Sequence, residues 1–187
     1  MSVSMTDMTI MNTVPFAALS VAVVACVCDL RSRRIPNVLT FGAAAAAFAY
    51  HLTTGGVGAL GQSALGWLVG VLVFIVPFAL GGLGGGDVKL VAALGAWIGW
   101  ADGSFMAGGV IWLALYTAIA GGVMAIAVSM AYGYSRIAFR NIRLLLCHWR
   151  VAGLTAMPDI TLDGSSAPKL AYAVPILMGM VATLWLR

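Results

Sequence analysis

Two carboxylates stand out in a chain that otherwise avoids charge: Asp29, in "CVCDLRSRRIPN", and Asp87, in "GGLGGGDVKL". Two such groups can direct water onto a peptide bond, one taking a proton from the water while the other, protonated, polarises the scissile carbonyl. Held close together they share a proton, so one pair supplies acid and base at once. The run before Asp87 holds five glycines in six positions, Gly81 to Gly86. A flexible turn needs one or two. Five admit unusual backbone conformations and let an extended peptide lie against the chain. Lys89 follows two positions after Asp87, roughly opposite it on a helix, so a direct pair with that carboxylate is not expected. It either pairs with a carboxylate of another loop or extends its ammonium to the membrane interface.

Each aspartate also has a plainer role open to it. Asp29 closes the first apolar run just before Arg31, Arg33 and Arg34 and would pair with them, although a negative charge at a helix C-terminus opposes the macrodipole. Asp87 would cap the helix that follows it, accepting bonds from the first free amides. The stretch from Asp87 to Trp100 spans about 20 Å as a helix, against a hydrocarbon core of about 30 Å. Asp87 is therefore expected in a recess, where an ionisable group is costly unless it lines a wet cavity.

The elements that must position these groups follow from composition. With 187 residues, 62% hydrophobic content, 9% charged residues and a mean hydropathy of +1.03, the chain is not a soluble domain. No Asp, Glu, Lys or Arg falls between Arg34 and Asp87, or between Asp102 and Arg136. The pattern predicts an all-α membrane protein, a polytopic bundle of about six transmembrane helices forming one domain over residues 1–187. The expected spans are residues 9–28, 38–53, 63–80, 87–101, 104–132 and 170–186. The connections are "TTGGVGALGQS", the glycine run and "ADGS". "MSVSMTD" lacks a basic leader region, so the first run is expected to be retained as a span.

Nine of the ten Lys and Arg residues lie in or beside the loops after spans one, three and five. The positive-inside rule then puts those loops, with Asp29 and Asp87, on the cytoplasmic face and both termini outside. The net charge of +4 thus serves topology, and no nucleic-acid partner is expected.

At its two aspartate motifs the chain resembles the type IV prepilin peptidases, membrane aspartyl proteases marked by Gly-x-Gly-Asp. Here Gly84, Gly85, Gly86 and Asp87 match, continued by "VKL"; "DLRSRRIPN" matches the first aspartate motif at Asp29, and "YAVPI" closes the chain at Tyr172 to Ile176. The resemblance implies catalysis by Asp29 and Asp87 without metal or cofactor, and Gly84, Gly85, Gly86 and Lys89 as residues that bind substrate or shape the site. It implies a bacterial inner-membrane, multi-pass enzyme at the cytoplasmic face. Its partners would be membrane lipids and pilin or pseudopilin precursors with short basic leaders. Longer members carry two Cys-x-x-Cys pairs and an N-methyltransferase activity. This chain has 28 residues before Asp29 and no such pairs, so methyl transfer is not expected and the compact form is similar to the peptidases of Flp (tight adherence) pili. A proton- or cation-coupled transporter using the same aspartates is the alternative, and a structural subunit of a secretion assembly a third reading. Oligomeric state is not read from these residues.

Other residues are expected to be structural. Cys26, Cys28 and Cys147 form no metal or disulfide framework, and His51 and His148 lie too far apart in topology to share a metal with either aspartate. The tryptophans read as interface anchors and packing, Pro77 and Pro175 as helix kinks, and Ala43 to Ala47 as a face for close helix contact. Arg136, Arg140, Arg143 and Arg150 recur at offsets 0, 4, 7 and 14, one stripe of a basic amphipathic helix on the inner leaflet or a topological stop signal. "MPDITLDGSSAPK" reads as a polar loop.

Overall fold

The computed structural model describes residues 5–100, 108–133 and 171–186, with 140, 141, 143, 144, 147, 148, 150, 151 and 153 between them; residues 5–12 are described by their backbone. Among the described residues the helices with defined bounds are α1 (Met5–Ser32), α2 (Asn37–Ala79), α3 (Gly85–Ile98), α4 (Gly109–Ala131) and α5 (Ala173–Trp185). No strand occurs among the described residues. Three helical stretches, Thr13–Ser32, Asn37–Ala79 and Gly109–Ala131, are long and apolar enough to cross a membrane. Large apolar side chains such as Val38, Val57, Ile126 and Met130 face outward. A water-exposed surface would bury such groups, so this is the exterior of a membrane protein.

The boundaries differ from expectation in informative ways. Spans two and three were expected to be joined by a loop, but the segment is one helical element of 43 residues, broken only at Gly56 (φ 68°, ψ −160°). A straight helix of that length would reach about 65 Å, twice the hydrocarbon core. It turns back instead. Near its two ends, Asn37 bonds Lys89 in the start of α3 and Phe78 lies where a Cβ on Gly85 would meet its ring at 3.5 Å, while His51 and Gln62, on either side of the break, bond the far end of α3 at Trp97 and Trp100. Gly56 alone takes the left-handed conformation that reverses the direction, at little steric cost because it has no Cβ.

Clamped between the two halves of α2, α3 is the most buried helix: Leu90, Val91, Leu94 and Ala96 have no exposed surface. The clamp is tight because small residues face each other. Gly66 and Gly95 meet backbone to backbone, so that a Cβ on either would overlap the other's carbonyl, and a Cβ on Gly70 would lie 3.0 Å from the Val91 oxygen. Ser63 Oγ donates to Ala96 O at 2.6 Å, satisfying a hydroxyl with no exposed surface. Ala43 and Ala44 pack against Ala93, as the run of alanines predicted. Pro77 lies inside α2, which stays helical around it, and Pro175 is the third residue of α5, where a missing amide removes no helical bond.

Asp102, Arg136, Lys169 and the polar loop of residues 157–169 lie outside the described residues, as does the start of the expected fifth span. Of the arginine stripe, Arg140, Arg143 and Arg150 are helical and exposed.

Candidate active site

Asp29 does not close α1, as expected, but sits within its last turn, because the helix runs on to Ser32. The end is built by Ser32, whose hydroxyl donates to Cys28 O (2.8 Å) and Arg34 O (3.1 Å), and by Arg33, whose amide donates to Asp29 O at 2.8 Å. Arg33 takes φ 53°, a left-handed C-terminal position usually given to glycine; a side chain there costs roughly 1–2 kcal/mol. Pro36 then holds extended backbone ahead of α2. A sharp link of residues 33–36 thus projects its side chains beside Asp29.

The glycine run divides into two working parts. Gly81 takes φ 75°, and the amides of Gly81 and Gly82 donate to Phe78 O and Pro77 O at 2.9 Å each, a glycine-dependent helix stop for α2. Leu83 is buried and pins the turn. Gly84 is extended at the head of α3, but Gly85 and Gly86 are already helical, which corrects the expectation of one open strip. Asp87 is therefore the third residue of α3. Its Oδ2 accepts from Gly84 N at 3.1 Å, and its amide donates to Gly84 O at 3.1 Å. This is half of a capping box, the other half being absent because Gly84 has no side chain. A carboxylate in the first turn also favours the helix dipole.

Both carboxylates are buried, Asp29 at 8% and Asp87 at 9% exposure. They line one cavity of about 410 Å³ together with Arg33, Arg34, Ile35, Pro36, Asn37 and Gly84 to Gly86. A second cavity of about 330 Å³ lies on the other side of Gly84 and Asp87, walled by Gly82, Leu83, Gly121, Gly122, Ala125 and Tyr172. One is bordered by arginines and an amide, the other by glycine, alanine and aromatic surface. Asp29 Oδ2 accepts from Ala173 N at 3.2 Å, so the amide at the start of α5 meets the carboxylate at the end of α1. The helix-dipole objection to a C-terminal aspartate is answered by another helix's N-terminus. Each aspartate thus spends one oxygen on a backbone amide and keeps acceptor capacity for water or substrate.

Of the residues singled out from sequence, Asp29, Asp87, Gly84, Gly85 and Gly86 are brought together. Lys89 is not among the cavity residues. Its ammonium donates to Asn37 Oδ1 at 2.9 Å and lies 5.5 Å from the centre of the Phe41 ring, so its partner is an amide oxygen rather than a carboxylate. It reaches the cavity through Asn37, the first residue of α2. His51 bonds Trp97 O at 3.1 Å, at the opposite end of α3 from Asp87. Among the described residues no group of His, Cys, Asp and Glu is arranged to hold a metal. Sequence reading overlooked Tyr172, Ala173 and Gly121: "YAVPI" was visible, but nothing local ties it to an aspartate 144 positions away.

Two buried carboxylates from different helices thus open into one cavity of an all-helical membrane protein. The model of the type IV leader peptidase family matches residues 16–130, more than half of the chain, and the chain belongs to that family. Membership supports a peptidase of the prepilin-leader type, with a prepilin as its substrate. No curated protein and no solved structure matches the chain.

Proposed function

We propose that this chain is an aspartyl endopeptidase of the bacterial inner membrane, removing the short basic leader from type IV prepilins or pseudopilins of the Flp kind. The observation that carries the reading is the shared cavity of Asp29 and Asp87. One carboxylate accepts a proton from water as the water oxygen bonds to the scissile carbonyl carbon. The other, protonated, donates to the carbonyl oxygen, and the tetrahedral intermediate collapses with a proton delivered to the leaving amine. Burial keeps bulk water away from the pair and strengthens these contacts. Gly84 to Gly86 border the path of the peptide without side chains, and Lys89 shapes the cavity by holding Asn37.

The domain is taken as residues 1–187, crossing the membrane about six times with the site at the cytoplasmic face. That orientation rests on the placement of Lys and Arg. The absence of Cys-x-x-Cys pairs supports a peptidase without methyltransferase activity. The test is to incubate the purified protein in detergent with a prepilin and follow leader release by mass spectrometry. Release by the unaltered protein and none by Asp29→Asn or Asp87→Asn is expected; comparable release by either variant rules out the pair as the catalytic machinery.

A further inference from the structure

We propose that the corner Tyr172–Ala173, beyond the family-matched residues 16–130, is a third arm of the site, in which Ala173 is a positioning residue for Asp29 through its backbone amide. The first amides of any helix lack partners within it and must be satisfied elsewhere. At the start of α5, Val174 N donates to Ala171 O at 3.1 Å, Pro175 has no N–H, and Ile176 N donates to Tyr172 O at 3.3 Å. Ala173 N instead leaves its own segment and donates to Asp29 Oδ2. Ala173 has no exposed surface, so water does not replace that bond. The partner is specific and, for Asp29, orienting.

The preceding residue reaches the other carboxylate's surroundings. Tyr172 walls the cavity next to Asp87, and its hydroxyl lies so close to α4 that a Cβ on Gly121 would come within 2.7 Å of it. Gly121 thereby lets the ring seat, and the seated ring sets where Ala173 presents its amide. Two consecutive residues thus touch both sides of the site, one by an amide and one by an aromatic face.

The inference rests on the peptidase reading for its kinetic arm only. Ala173→lactic acid, introduced by nonsense suppression, replaces the N–H by an oxygen of nearly the same shape. Prepilin turnover by this ester is expected to show kcat lowered about tenfold, as for loss of one hydrogen bond to a charged group, with KM within twofold. A kcat within twofold of the unaltered protein would overturn the positioning role. The second arm needs no substrate: thermal unfolding in detergent is measured for the ester, for Asp29→Ala and for both together. A real amide–carboxylate bond makes the two changes non-additive, the ester costing little once Asp29 is gone. Additive effects would overturn the link. Should the unaltered protein cleave no prepilin, the peptidase reading falls, while the cycle still decides whether Ala173 holds Asp29.

Discussion

The two aspartates reach the same cavity by opposite means. Asp87 is held by its own neighbourhood: its amide donor is three residues away, and the turn that aims it is the first turn of its own helix. Asp29 is held by a donor 144 residues away, on a helix that must first pack against α1. A locally built carboxylate survives small errors of packing, because its cap moves with it. One built by a distant amide is correct only when the whole bundle is correct. The Asp87 arm is therefore a property of a segment, and the Asp29 arm a property of the fold.

The sharpest way to break this comparison is to remove each charge alone. Asp29→Asn and Asp87→Asn should each lower prepilin cleavage by about 10³-fold or more, with helical content by circular dichroism unchanged, since general acid–base groups contribute on the order of 10²–10⁴. A large difference between the two would mean that they are not partners in one proton exchange.

Next in size is the support under Asp87. Gly95→Val forces a side chain into the Gly66 backbone, which has no flexible group to give way. A loss of about 3 kcal/mol or more, or failure to fold, is expected from such overpacking. The measurement is the unfolding midpoint in detergent, which should fall far more than for Gly42→Ala, where the added Cβ meets nothing within 4 Å.

Gly86→Val tests the wall itself. A Cβ there would lie 3.3 Å from Ile35 Cβ, and because Gly86 is helical the effect comes from occupied space rather than from forbidden dihedrals. Turnover should fall about tenfold or more, corresponding to roughly 1.4 kcal/mol of transition-state stabilisation. Gly82→Ala, whose Cβ would face Pro77 O at 3.3 Å on the far side of the turn, should be milder. Equal, near-normal turnover by both would reduce the glycines to a link between helices.

The smallest effect belongs to Lys89→Met. It deletes both the bond to Asn37 and the ammonium beside the Phe41 ring, while keeping an unbranched chain. Since the pair is exposed, a few-fold loss of turnover is expected, near the lower end of about 1 kcal/mol for such a bond. Full activity would show that Asn37 holds its place unaided.

Much of this was legible in the residues. Composition alone required a helical membrane protein, and the start of a helix at Asp87 was legible because Gly84, Asp87 and the helix they begin are consecutive in sequence. The glycine run was read too uniformly: its Gly81 ends one helix and its Gly85 and Gly86 begin the next, a division set by which carbonyls the amides find. Lys89 was read correctly as turned from Asp87, yet its partner Asn37 lies 52 positions away and has no mark in the sequence.

Amino-acid types determined the class of protein, its helical segments and the two carboxylates, because hydropathy, helix propensity and a charge inside an apolar run are sums over neighbours. Only the tertiary structure decided that α2 folds back at Gly56, that Gly66 and Gly95 meet, and that the amide of Ala173 comes to rest on Asp29. Those outcomes depend on how whole helices fit together. A helix presents several faces of similar apolarity to lipid and to its neighbours, and which faces meet is settled by close packing of small residues and by the need of each buried amide for an acceptor.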